Sequence, residues 1–362
     1  MKKLMYLFAA SLFMLACSEN DDAVPQVPQS NAAITFDLSA VSKAEGNTRT
    51  PVYSQEASQH VTRVTIYAFK NDGTGTYKYL QQYTPAGWTD GMTFMRYEVP
   101  TGNQVPPGDY MFLAVGRDAA DMYTVTSPTV DVTTFPMMTA TVAASGNESE
   151  IFAGSASATV TLEGGTRVSI PMTRQVAGVL GYFKNIPQMI NGVTVKYLRL
   201  SASNSNQVVN LTTGAGVNSA VVSYNIINMD LSAQGITNGI YNGNDLSGQG
   251  VSTLPMSQLG GAFLIPVSGV TMILGLYDTA NNPIKTWTVM DGAAANTSIL
   301  ANHFYSLGTK KMAGNTTGGT GLPGDVDAPI DLLYDQNIVI TINPAWNLIH
   351  DLVLQPVVPG PI

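Results

Sequence analysis

Charge is scarce in this sequence: Asp, Glu, Lys and Arg make up 12% of its 362 residues, against about 25% in ordinary soluble domains. The polar surface must therefore come from Ser, Thr, Asn and Gln. The 17 Lys and Arg are outnumbered by 25 Asp and Glu, for a net charge of −8. Beyond the extreme N-terminus there is no basic run. This excludes the positive stripe that a nucleic-acid partner requires against phosphate. A single cysteine excludes an intrachain disulfide, a cysteine-based zinc site and an iron–sulfur cluster. His60, His303 and His350 have no His or Cys at metal-ligand spacing, and no H-E-x-x-H is present. There is no G-x-S-x-G elbow, and the glycine-rich Gly314 to Gly324 lacks the G-K-[ST] of a phosphate loop. The expectation is a protein without catalytic residues, metal or cofactor. Sustained helical periodicity is missing too. Leu254 to Leu259 is the one stretch expected to form a helical turn.

What is present begins at the N-terminus. Lys2 and Lys3 precede an apolar run from Leu4 to Ala16, followed by Cys17. At ~1.5 Å per residue that run is too short to cross a ~30 Å hydrocarbon core as a helix. It predicts a secretory signal peptide over residues 1–16. Met14-Leu15-Ala16-Cys17 resembles a bacterial lipobox, in which the thiol is diacylated and the chain is cut before it. Met14 stands where that pattern more often has Leu. The other reading is an ordinary signal peptide with an incidental cysteine. Ser18-Glu19-Asn20-Asp21-Asp22 resembles the acidic signal that sends some Gram-negative lipoproteins to the outer leaflet; it reads equally as a solvated linker. With Pro25 and Pro28 included, residues 17–31 form an extended lipidated tether.

The body alternates as strands do. Ile34, Phe36 and Leu38 share one face, the period of a half-buried strand, expected at the edge of the first sandwich. Val61 to Lys70 sets Val64, Ile66 and Ala68 on one face and Thr65, Tyr67 and Phe69 on the other. Asn71-Asp72-Gly73 predicts a hairpin turn into Tyr77 to Tyr83. Pro106 to Asp109 reads as a turn, and Tyr110 to Val115, Val168 to Met172 and Gln175 to Phe183 as strands. A second series runs through Val195 to Leu200, Val217 to Tyr224, Phe263 to Val267 and Val270 to Tyr277. It ends with Ile284 to Val289, His303 to Leu307 and Ile338 to Ile342. Strands at this spacing predict an all-β protein of two sandwiches. They are placed at residues 32–185 and 186–362, divided where Asn185-Ile186-Pro187 interrupts the pattern.

Three groups of residues invite a functional reading beside a structural one. Trp88, Trp287 and Trp346 would form a sugar-stacking platform if they converged; otherwise they are core or edge packing. Asp325 and Asp327, with Asp331 nearby, would collect calcium or line a solvated loop, and their spacing is not that of an EF-hand. Arg49, in the polar segment Gly46 to Pro51, is either a cleavage point for a trypsin-like protease or a plain solvated arginine.

Together these features resemble the fimbrillin, or type V pilin, superfamily of Gram-negative anaerobes. The likeness rests on the lipobox at Cys17, the Ile34 to Leu38 strand, the Arg49 loop, Val61 to Phe69 and Pro107-Gly108-Asp109-Tyr110. Glu150 to Gly154 and Met172 to Ala177 most resemble the anchor-type subunits. The resemblance implies two tandem transthyretin-like β-sandwich domains and assembly by strand exchange. In stalk-type members an arginine-specific protease removes the first strand and a partner's strand fills the groove. Anchor-type members are not processed in this way and stay lipidated at the pilus base. On this reading Ile34, Phe36 and Leu38 mark the exchangeable strand, Arg49 the cleavage point, and Leu352, Leu354 and Val358 a candidate donor strand, weakened by Pro356. The implied partners are other fimbrial subunits, the outer membrane through the lipid, and surface receptors of host or bacterial cells. The rival expectation is a glycan-binding surface lipoprotein, which needs exposed aromatic side chains on one patch.

Overall fold

The computed structural model describes residues 32–40, 52–53, 59–142, 148–163, 165–217, 223–292, 294–316, 326–333, 338–339 and 341–343. Its strands in chain order are β1 (Ile34–Ala40), β2 (Val61–Asn71), β3 (Tyr77–Tyr83), β4 (Phe94–Glu98), β5 (Gly108–Asp118), β6 (Tyr123–Val125), β7 (Thr139–Val142), β8 (Ile151–Val160), β9 (Thr166–Arg174) and β10 (Ala177–Lys184). There follow β11 (Met189–Ile190), β12 (Val193–Thr194), β13 (Tyr197–Ala202), β14 (Val208–Asn210), β15 (Gly216–Val217), β16 (Tyr224–Asp230), β17 (Ile236–Thr237) and β18 (Ile240–Tyr241). The last are β19 (Ser257–Leu264), β20 (Val267–Tyr277), β21 (Pro283–Met290), β22 (Asn296–Ile299), β23 (Phe304–Leu307), β24 (Ile330–Asp331), β25 (Ile338–Val339) and β26 (Thr341–Asn343). The protein is all-β, as the alternation and turn residues require.

The first sheet path runs β3-β2-β5-β8-β9-β1-β4. It doubles back where β8 meets β9, because only Phe152 and Ala153 pair there, with Arg174 and Thr173. The layer β4-β1-β9 therefore covers one face of β3-β2-β5-β8. Ile34, Phe36 and Leu38 interlock between them with Ile66, Ala68, Phe112 and Phe152. The opposite face of the same sheet is covered as well. Tyr67, Phe69, Leu113 and Val115 meet Leu180, Tyr182, Phe263 and Phe304 in a second core. The sheet β19-β10-β23-β26 supplies that cover. From its far side Ala177, Val179 and Phe183 meet Leu198, Leu200, Leu274 and Trp287 in a third core. The last layer is β16-β13-β20-β21-β25. Among the described residues, sandwich packs on sandwich, with one apolar layer shared by both halves of the chain. A small sheet, β15-β14-β7-β6, ties the halves a second time by pairing Thr141 with Val208.

Several local expectations are met for the reasons that motivated them. Asp72 and Thr76 close the β2–β3 turn, with Gly73 at φ 88°, a conformation glycine adopts without a Cβ clash. Others are corrected. The stretch from Leu254 makes no helical turn: a turn at Pro255 and Met256 leads into β19, whose Gly260 and Gly261 disfavour a helix. The expected strand from Phe263 to Val267 is instead the junction of β19 and β20 around Pro266, which cannot donate to a ladder. Tyr224, the expected end of a strand, begins β16, and residues 218–222 lie outside the described set. Ile338 to Ile342 serves two layers, β25 pairing with β21 and β26 with β23. β10 precedes the Asn185-Ile186-Pro187 break, yet it pairs with β19, β23 and β24. The change of partners thus falls at Gln175 and Val176, before the Asn185-Ile186-Pro187 break.

Candidate functional site

β1 is the element on which strand exchange would act. Its expected position at a sheet edge is corrected: it runs parallel to β9 on one side and antiparallel to β4 on the other. Ile34, Phe36 and Leu38 are at most 2% exposed. Burying three such side chains is worth roughly 5–9 kcal/mol before ordering costs. Phe36 meets the Phe112 ring edge-on, centroids 4.9 Å apart. β1 is also held on its outer face. Asp37 stands directly across the ladder from Arg96 and accepts from its Nε at 2.8 Å, while Arg167 of β9 donates to the other carboxylate oxygen. Hydrogen bonding from Arg96, reinforced by Arg167, holds the Asp37 carboxyl below its ordinary pKa. One carboxylate thus ties β1 to both neighbours. Removing β1 would also strip β4 of the only strand it pairs with among the described residues.

Val52 and Tyr53, the next described residues after β1, lie against the other half. Val52 is buried in the core shared by the two sandwiches. Its carbonyl passes so close to β19 that a Cβ on Gly261 would come within 2.2 Å of it. Glycine is required there by close backbone approach. Cys17, Arg49, Leu352, Leu354 and Val358 lie outside the described residues, as do His350, Trp346 and Asp325.

The sequence of residues 25–351 matches the family of fimbrillin-A associated anchor proteins Mfa1 and Mfa2. The chain belongs to this family. Among solved structures it is similar to the fimbrial anchor protein Mfa2 from Porphyromonas gingivalis, at 12% identity and a TM-score of 0.43, over 86% of this chain and 97% of that one. A protein from Bacteroides eggerthii assigned to cell adhesion aligns at 13% identity and a TM-score of 0.46, over 88% and 96%. One from Bacteroides thetaiotaomicron assigned to polysaccharide binding aligns at 13% and 0.46, over 76% and 91%. No curated protein matches the chain. The family assignment rests on the sequence match, and with it the protein is a fimbrial subunit of the anchor family.

The remaining candidate residues of this anchor-family chain have structural partners. Trp88 is buried in the first core and Trp287 in the third, so these two do not form a shared platform. Asp327 is buried against Lys310 at 2.9 Å, and Lys310 also donates to the carbonyls of Met312 and Asn315. The second Asp327 oxygen accepts from the Lys311 backbone. Asp331 accepts from the Asn185 amide. Of the calcium candidates, Asp327 and Asp331 are therefore held by lysine and amide donors. His303 sits at the start of β23, its Nδ1 2.8 Å from the Ala301 carbonyl, a structural turn contact.

His60 has no partner near it in sequence, but the fold gives it Glu150. Its Nδ1 lies 3.0 Å from Glu150 Oε2, and its backbone N–H donates to the same oxygen at 2.7 Å. Arg174, fully buried over the Phe152 ring, donates to Glu150 Oε1 from Nε at 2.8 Å. Burial pushes the Glu150 carboxyl up, but Arg174 and His60 outweigh it and hold the group below its ordinary value. Nearby, burial raises Asp118, which accepts from the Glu150 backbone. These groups come from the ends of β2, β5, β8 and β9, far apart in sequence. The one sequence signal was two charged residues, Glu150 and Arg174, bordering apolar strands.

Proposed function

We propose that this protein is the lipid-anchored, non-catalytic base subunit of a surface fimbrium, held in the outer membrane through Cys17. The observation that carries the reading is the anchor-family match over residues 25–351. The lipobox Met14 to Cys17 and the acidic residues after it supply the anchor and its sorting signal. The paired, charge-locked position of β1 supports its retention: a base subunit keeps this strand, where a stalk subunit would surrender it. Joining to the next subunit is then by the C-terminal stretch, with Leu352, Leu354 and Val358 as inserted side chains and other fimbrial subunits as receivers. Mass spectrometry of the mature protein from cells tests the anchor. The expected N-terminus is a diacylated Cys17, and Cys17→Ser should release the protein from membranes. A membrane-retained Cys17→Ser chain would reject the lipid reading.

Retention of β1 has its own test. Trypsin should cut at Arg49 in the folded protein. The N-terminal fragment should then co-elute with the remainder on gel filtration, because β1 keeps both ladders and Val52 stays buried beyond the cut. A fragment that separates at once would return β1 to the role of an exchangeable strand.

A further inference from the structure

Edges of β-sheets invite pairing with another chain, and proteins usually close them. Two edges here are closed by the chain itself. Along β3, the Tyr79 N–H donates to the Thr133 carbonyl at 2.8 Å, and its carbonyl accepts from the Asp131 N–H at 3.0 Å. Along β19, the Asn244 side-chain amide imitates a strand residue. It accepts from the Leu259 N–H at 3.0 Å and donates to the Leu259 carbonyl at 2.8 Å. β4 is different. The bond from Val99 N–H to Ile34 and that from Ala40 N–H to Thr93 fix the phase of its ladder with β1. Alternate residues point their backbone the other way, so the N–H and C=O groups of Phe94, Arg96 and Glu98 face outward. No described residue covers them. Their side chains are exposed, and Phe94 is 51% exposed.

The sequence of this edge is its own antiparallel complement. Centring two copies on Tyr97 sets Arg96 opposite Glu98 of the second copy, and Glu98 opposite its Arg96, both on the solvent face. Phe94 then lies opposite Pro100. In this register the outward N–H and C=O groups of Arg96 and Glu98 meet as hydrogen-bonded pairs. Centring on Arg96 or on Glu98 instead opposes like charges, which is destabilising across a ladder. Neighbouring Asp37, itself paired with Arg167, already holds Arg96 and its strand in register from the other side. We propose that β4 is a self-association edge, through which two copies of this chain join β4 to β4 in the register centred on Tyr97. The pairing makes one continuous sheet from the β4-β1-β9 layers of both copies. It needs β1 in place, and it is separate from the C-terminal stretch proposed to enter the next subunit.

Disulfide trapping in the mature protein in detergent reads both association and register. Mixing an Arg96→Cys chain with a Glu98→Cys chain should give a disulfide dimer about tenfold faster than either variant alone, because only the mixed pair falls within bridging distance. The wild-type chain is the blank, since Cys17 is its single cysteine. Dimers from wild type would report a free Cys17 thiol and so count against lipidation, not against the edge. In sedimentation equilibrium without added cysteines, Glu98→Arg should weaken the dimer by about tenfold, one unfavourable pair replacing a favourable one twice. At concentrations where both chains are monomeric, its thermal unfolding should match wild type. A chain monomeric at all concentrations, equal trapping in all three mixtures, or faster trapping by Arg96→Cys alone would overturn the proposal.

Discussion

β1 and β10 are both inner strands, paired on each side, yet they are built differently. β1 alternates: Ile34, Phe36, Leu38 and Ala40 are buried, while Thr35 and Ser39 are half-buried and Asp37 is held by two exposed arginines. β10 is buried over nearly its whole length, Ala177 to Phe183. The difference is their layer. β1 belongs to an outer sheet with one face toward solvent, and β10 to an inner sheet with a core on each side. An outer-layer strand can carry a charge and be locked by it. An inner-layer strand keeps its charge to its exposed end, here Lys184, and is fixed by its ladders and by packing.

The largest expected effect breaks this contrast if it is mistaken. On β10, Val179→Asp and Leu180→Asp place a carboxylate in different cores, and each should cost more than about 4 kcal/mol or prevent folding. On β1, Phe36→Asp should be as severe, whereas Ser39→Asp should stay within about 0.5 kcal/mol. Urea unfolding of the set is the measurement. A mild Leu180→Asp would mean that the layer between the two sandwiches is not a true core.

Next comes the buried ion pair of Arg174 and Glu150. Arg174→Met should cost about 3–5 kcal/mol, because it leaves the Glu150 carboxylate buried without its guanidinium. Changing Glu150→Gln as well should recover part of that loss, which a double-mutant cycle would measure. Gly261→Ala should cost about 1–3 kcal/mol by pushing Val52 off β19. It should also raise the rate of proteolysis at Arg49.

The smallest effect is in acid. Asp37 and Glu150 both have folded-state pKa values below their unfolded ones. Their contribution is complete above about pH 4.5 and is lost as pH falls through the lowered values. Asp118 is raised by burial and acts in the opposite sense, favouring the folded state as it protonates. The loss from Asp37 and Glu150 should therefore appear as a decline in the unfolding midpoint below about pH 4.5. Asp37→Asn should flatten part of that decline and leave the neutral-pH cores intact. If it changes nothing in acid, the two arginines do not lock β1 through charge.

Much of this was legible in the residues themselves. Strict alternation at Ile34 to Leu38 announced one wet face and one dry face, and Val61 to Lys70 announced a strand with Val64, Ile66 and Ala68 on one face. Glycine at position 73 marked its turn. The anchor-type resemblance was legible in Glu150 to Gly154 and Met172 to Ala177, and the family match agrees with it. Periodicity is a property of neighbours in sequence, so these features needed nothing else.

Partners distant in sequence were not legible. Asp37 was visibly a charge on the outward face of a strand, but alternation cannot say which strands flank it. Only the crossover that lays β9 beside β1 supplies Arg167, and only the return of β4 supplies Arg96. The same holds for Glu150 with His60 and Arg174, and for Val52 against Gly261. An edge strand and an inner strand of one outer layer share the same hydrophobic period, because the period reports faces while the ladder runs at right angles to them. The sequence by itself therefore determined that this chain is all-β and which face of each clear strand is apolar. The tertiary structure decided which strands are neighbours, which charges meet, and which edge is left open.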